Sequence, residues 1–240
     1  MSEGDSGPSG TDSSGGSFWT SLPALLTASA VLIGAIVSAV VTLTNDGGGD
    51  PVAGSTIPAI STGPDTGRHF AAMTRPLGRV YFEDETMFVK ASQPGRPLVV
   101  LAEAEAALAD VRLGANVAWV SGAKDYGVGF VCRYADAGNY YLLSVLSGGR
   151  YHIVRYRRGK PVSLTGGIQA NAAVRDAGND VSASCVGSDP VSLTLAVGGQ
   201  DIATARDEDG IERGNVGIRL GTSESVVTCA FRGFELRSLQ

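Results

Sequence analysis

From residue 111 onward, apolar and polar side chains alternate in short runs. Val191, Leu193, Leu195 and Val197 are separated by Ser192, Thr194 and Ala196, and Val216, Ile218 and Leu220 repeat the pattern. Side chains of a strand point to opposite faces with period two, so each run buries one face and presents the other. The same reading predicts strands over residues 111–121, 126–134, 140–146, 151–157, 180–186, 191–197, 202–205, 216–220 and 226–236. Many short strands with a turn about every ten residues predict an antiparallel β-sandwich. Residues 70–105 are mixed, and 104–109 reads as either a short helix or a loop.

Two turns bear on register. Gly198-Gly199 suits a two-residue type I′ hairpin, which needs positive φ at both central positions. Around Gly148-Gly149 a two-residue loop puts His152 and Tyr156 on the face of Leu143 and Val145. A three-residue loop instead groups Tyr141, Leu143 and Val145 with Tyr151 and Ile153. The second register buries the more apolar set, and it turns Tyr140, His152 and Tyr156 to the opposite face.

The front of the chain has another pattern. Residues 1–17 are Gly, Ser, Asp, Pro and Thr with no periodic apolar positions, which predicts a disordered tail. Residues 22–43 form one uncharged apolar run, and about 20 helical residues at about 1.5 Å each cross a bilayer core of roughly 30 Å. Phe18 and Trp19 precede it at headgroup level and Pro23 stands in its first turn, so 18–44 reads as a transmembrane anchor. A cleaved signal peptide needs a basic leading region, and no lysine or arginine precedes Arg68. Residues 45–67 read as a flexible linker and 68–240 as the displayed domain.

Charge changes the picture in one respect. The formal net charge is −5, but Glu3, Asp5, Asp12, Asp46, Asp50 and Asp65 all precede the domain, which is itself close to neutral. That balance excludes nucleic acid as the expected partner, since binding it takes a strongly basic face. The cluster Arg155, Arg157, Arg158 and Lys160 reads as a solvated hairpin end. The basic residues flank neither end of the apolar run, so charge alone leaves its orientation open.

Cys132, Cys185 and Cys229 share parity with neighbouring apolar residues and point to the expected core. Two readings stay open: small buried hydrophobes, or a Cys132–Cys185 disulfide, which requires a domain outside the cytoplasm and leaves Cys229 unpaired. In the chain-entropy model that bridge stabilises the fold by about 4 kcal/mol.

The order of landmarks Gly129-Phe130-Val131-Cys132-Arg133, Asn139-Tyr140-Tyr141, Gly149-Arg150-Tyr151, Cys185-Val186-Gly187, Asp207 and Gly214-Asn215-Val216-Gly217 resembles concanavalin A-like lectin/glucanase sandwiches. It is nearest to the 3-keto-disaccharide hydrolase-like domains that bacteria carry on single-pass membrane anchors, and Phe18-Trp19-Thr20-Ser21-Leu22-Pro23 resembles the start of such anchors. The resemblance spans residues 80–236 and implies an all-β jelly-roll sandwich on the outer side of a cell membrane. Two departures stand out. Phe231-Arg232-Gly233-Phe234 lacks the aspartate these domains often carry after the first Phe, and Gly198-Gly199 replaces an Asn-Gly hairpin.

Candidate chemistry is sparse. Glycoside hydrolysis needs two carboxylates flanking the scissile bond, and neither Glu83-Asp84-Glu85 nor Glu103-Ala104-Glu105 has the E-x-D-x-x-E spacing expected of a glucanase of this fold. His69 and His152 are the only histidines, Asp207-Glu208-Asp209-Gly210 lacks calcium-loop spacing and reads as a solvated turn, and no metal or cofactor is implied. The best candidate set is Arg133, Tyr140, His152 and Tyr156 on the face opposite the core, where tyrosine rings stack on sugars and Arg and His donate to hydroxyls. The expectation is a membrane-anchored, extracytoplasmic, non-catalytic module binding a glycan or cell-envelope component. The alternatives are a structural, protein-interaction or sensor module and a glycosidase-type hydrolase.

Overall fold

The computed structural model describes residues 69–103 and 107–239, so the tail, the apolar run and the linker at 1–67 lie outside the described residues. The described residues form strands and no helix, and therefore no helix long and apolar enough to cross a membrane. The first strands are β1 (Met73–Arg75), β2 (Gly78–Glu83), β3 (Thr86–Ala91), β4 (Leu98–Leu101) and β5 (Val111–Gly122). There follow β6 (Tyr126–Asp136), β7 (Asn139–Leu146), β8 (Arg150–Arg157), β9 (Lys160–Ser163) and β10 (Gln169–Ala170). The last are β11 (Asn179–Val186), β12 (Val191–Val197), β13 (Gln200–Asp207), β14 (Asn215–Thr222) and β15 (Val227–Ser238).

They make two antiparallel sheets packed face to face. The eight-stranded sheet runs β1-β2-β3-β15-β5-β11-β12-β13, and the seven-stranded sheet runs β10-β8-β7-β6-β14-β4 with β9 also on β8. The core lies between them, where Val111, Leu113, Leu193 and Leu195 of one sheet meet Phe130, Tyr141, Leu143, Ile153 and Ile218 of the other. Cys132 on β6 and Cys185 on β11 join the sheets as a disulfide with Cα atoms 6.7 Å apart, while Cys229 is a buried free thiol whose pKa burial pushes up to about 12.

The hairpins set the registers. Val197 pairs with Gln200 around Gly198 and Gly199, both at positive φ, and Leu146 pairs with Arg150 around a three-residue loop with Gly148 and Gly149 in the left-handed region. Tyr141, Leu143, Val145 and Tyr151 therefore face the core with Ile153. The 104–109 segment is no helix in its described part, where Leu108 bridges Gly214. The six strands β1 to β4, β9 and β10 fall in stretches where no strand was predicted.

Two of the bulges decide which side chains reach the core and which leave the outer face. In β15 the register slips between Arg232 and Glu235, so Phe231 and Phe234 both reach the core, where Phe234 meets Phe70 edge-on at 4.7 Å. In β6 the slip falls between Cys132 and Asp136, with Arg133 at φ 52°.

Candidate functional site

The β6 bulge redistributes the candidate set. Without it, Arg133 would share the outward parity of Val131. With it, the Arg133 side chain reaches the start of β5 and the end of β11 in the other sheet, and Tyr134 takes the outward place. Arg133 is fully buried, donating through Nε to Ala109 O (3.0 Å), through Nη1 to Ile211 O (2.7 Å), and through Nη2 to Gly187 O (2.5 Å) and Asp110 Oδ1 (3.2 Å). Burial disfavours its charge, and Asp110 beside it opposes that effect. Four bonds to loops from both sheets make Arg133 a structural clamp, which corrects its assignment to a ligand face.

Asp207 is likewise no solvated turn residue. It is buried, accepts from the Tyr141 hydroxyl at 2.6 Å, and pairs with Arg155, so Arg155 leaves the solvated cluster while Arg157, Arg158 and Lys160 remain at the exposed hairpin end. Tyr141 Oη in turn accepts from Ile211 N–H at 3.0 Å. Burial and the Asp207 bond push the Tyr141 phenol well above its ordinary pKa, so it stays a donor across the physiological range.

The other three candidates do share the outer face of the seven-stranded sheet. Tyr140 and Tyr156 are cross-strand partners with rings stacked at 4.5 Å, Tyr134 lies 5.5 Å from Tyr140, and the Arg219 guanidinium sits 5.2 Å over Tyr156. Val131, Leu142, Leu146 and Val154 complete a second apolar cluster there. Tyr156 is only 1% exposed and Tyr140 4%, so these rings are packing elements more than open platforms. Sequence reasoning missed Tyr134 and Arg219. The bulge hid the first, but Arg219 was legible, since it alternates with the inward Ile218 and Leu220.

His152 lies opposite Ser144 and contacts Ser163 through Nε2 at 2.8 Å, while Ser163 Oγ also accepts from Gly167 N–H. Burial lowers the His152 pKa. A serine beside a histidine raises nucleophilic catalysis, which needs a third group orienting the imidazole. Among the described residues His152 Nδ1 is buried with no hydrogen-bond partner, so no side chain there orients the imidazole as a third group would. The pair instead ties the 163–167 turn to β8.

Open space begins where this buried layer ends. A groove of about 200 Å³ is lined by Leu77, Arg96, Pro97, Val99, Tyr134, Ala137 and Tyr140, with no carboxylate among them. A neighbouring groove of about 300 Å³ runs along β4, which among the described residues has a strand neighbour on one side only; Met73, Val99, Leu101 and Tyr134 line it, with Arg75 and Glu103 as its charged groups. Tyr134 is half-buried and belongs to both. The groove beside Tyr134 and Tyr140 therefore offers aromatic surface, an aliphatic floor and one exposed guanidinium.

Among solved structures, the fold is similar to that of the carbohydrate-binding module CBM66 from Bacillus subtilis, at TM-score 0.54 and 14% identity, over 67% of this chain and 92% of that module. The likeness is one of fold. A β-1,3-1,4-glucanase (lichenase) from a mouse hindgut metagenome aligns at TM-score 0.49 and 7% identity, over 74% of this chain and 91% of the enzyme. A sialidase aligns at TM-score 0.48 and 10% identity over 70% of this chain, which spans 17% of its length. No family model and no curated protein sequence matches the chain. The two-sheet antiparallel sandwich is what this chain shares with the CBM66 module.

Proposed function

We propose that the domain is a non-catalytic module that binds a glycan or another cell-envelope component, held outside the cytoplasm by a membrane anchor at residues 18–44. The observation that carries this reading is the groove whose accessible aromatic wall is Tyr134, backed by the buried Tyr140, with Arg96 at its side and no carboxylate in its lining. Aromatic rings beside a donor suit the apolar face and hydroxyls of a sugar, whereas glycoside hydrolysis needs two carboxylates across the scissile bond. Extracytoplasmic display accords with the Cys132–Cys185 bridge, since disulfides persist in oxidising compartments. Tyr134→Ala removes a half-buried ring at the mouth of the groove and leaves the stacked pair behind it. The expected result is loss of retention on cell-wall glycan columns with only a small loss of stability, about 1 kcal/mol. Unchanged retention would remove the groove from consideration, and sugar release by the purified chain would replace binding with hydrolysis.

A second reading rests on β4. Its edge, unpaired among the described residues, lies beside the 300 Å³ groove and is the geometry that takes an added strand, which would suit an extended peptide from a partner protein. Cross-linking at Val99 that captured a protein and no glycan would favour it.

A further inference from the structure

The outer face of the eight-stranded sheet carries a cluster that the groove does not use. Arg79 and Lys90 are direct cross-strand partners on β2 and β3, both exposed. One step along the same face, Tyr81 pairs with Phe88, their rings stacked at 5.1 Å, and the Arg79 guanidinium lies 4.9 Å over Tyr81. On the next strand Thr228 and Ala230 lie opposite Lys90 and Phe88, and Arg232 follows, donating to Thr86 Oγ1 at 3.1 Å. Three cations thus surround a half-exposed aromatic pair over a floor of small side chains.

Like charges placed directly opposite on a sheet destabilise it. The same face shows how such a pair is ordinarily relieved: Arg112 and Arg237 are also cross-strand partners, and Glu235 bonds Arg237 at 3.2 Å. Among the described residues no carboxylate relieves Arg79 and Lys90 in this way. The acidic turn Glu83-Asp84-Glu85 closes the patch at its Thr86 end, yet among the described residues no ion pair joins it to Arg79, Lys90 or Arg232. Arg232 stands four residues along β15 from Thr228, the partner of Lys90, so at about 3.3 Å per residue a chain running along the strands meets the Arg79–Lys90 pair, then the Tyr81–Phe88 pair, and then Arg232 roughly 13 Å on.

We propose that this face is a second binding surface, for an acidic polysaccharide whose carboxylates bridge Arg79, Lys90 and Arg232 while its sugar rings rest on Tyr81 and Phe88. The choice of a saccharide over other polyanions rests on the glycan reading above, but the residues are separate from the Tyr134 groove.

The full chain in neutral detergent is titrated with polygalacturonate, with dextran as the uncharged control. Polygalacturonate is expected to bind, more weakly as salt rises, and dextran to bind no better than background at this face. Arg79→Gln with Lys90→Gln should lower polygalacturonate affinity about tenfold or more, and Phe88→Ser should lower it further. Arg112→Gln with Arg237→Gln removes equal charge from the same face and should change nothing. An equal loss in that control pair, absence of polygalacturonate binding, or loss-sensitive binding to phosphatidylglycerol vesicles in its place would each overturn the proposal. Tyr134→Ala separates the two sites, since it should abolish cell-wall retention and leave polygalacturonate binding intact.

Discussion

The two outer faces of this sandwich are built on opposite plans. That of the seven-stranded sheet carries Val131, Tyr140, Leu142, Val154 and Tyr156, all buried, with Arg219 buried above the tyrosine pair. That of the eight-stranded sheet carries Arg79, Lys90, Arg232 and the hydrogen-bonded Asn116–Asp180 pair, largely exposed. The difference is visible along single strands. β7 reads Asn-Tyr-Tyr-Leu-Leu-Ser-Val-Leu and is buried from its second residue onward, whereas β11 alternates buried and partly exposed positions in strict order over its last six residues. A strand buried on both faces has no polar side to offer, and the long run through β7 marks a strand whose second face is also packed.

The largest effect that tests this contrast is on stability. Tyr156→Ala should destabilise the fold by about 3–5 kcal/mol, because it empties a site closed on all sides and strips Tyr140 of its stacking partner. Phe88→Ala removes a ring of similar size from the opposite face and should lose about 1 kcal/mol, the worth of a half-exposed cross-strand aromatic pair. Urea unfolding of both variants reads the difference directly. Equal losses would mean that the two faces are equally packed.

The same contrast explains what the sequence disclosed. The nine alternating segments emerge as strands because each has one polar face, or, like β7, lies between recognisable hairpins. β2 and β3 escaped notice because Val80-Tyr81-Phe82 and Met87-Phe88-Val89 are apolar on both faces, which erases the period of two. β4 escaped for the same reason: Val99 lines a groove while Leu98 and Val100 fill the core. The stacked tyrosines were legible from the Gly148-Gly149 register, but their depth was not, since burial depends on neighbours that a strand pattern does not name. Arg133 was misplaced because alternation cannot see a bulge, and one extra residue on β6 against β14 moved it from the ligand face to a clamp between sheets.

A smaller effect belongs to His152, a polar member of the buried face that has no counterpart on the exposed one. Burial lowers its folded pKa below the ordinary value near 6.5, and His69 shifts the same way for the same reason. As pH falls through about 6.5 the unfolded chain takes up protons that the folded chain refuses, so the stability present above that pH is progressively lost below it. Urea midpoints measured across this range should decline towards acid in the native chain, and His152→Gln should flatten part of that decline. An unchanged slope in the variant would show that His152 is as solvated as a surface histidine, and the two faces would then differ less than their apolar residues suggest.

The smallest effect is the most discriminating, because it has the opposite sign. Lys90→Glu turns the Arg79–Lys90 pair from like to unlike charge without touching Tyr81, Phe88 or the core. If the pair is held apart from any carboxylate for the sake of a ligand, the variant should gain about 0.2–1 kcal/mol in urea unfolding, more at low salt than at high, and lose polygalacturonate binding. A solvated pair with no ligand role would show neither change, since water already screens it. Loss of binding with loss of stability would mean that the substitution had disturbed β3 itself. Stability gained where binding is lost is the signature of a surface kept strained for recognition, and it would set this face apart from the buried one, where every destabilising change should weaken fold and function together.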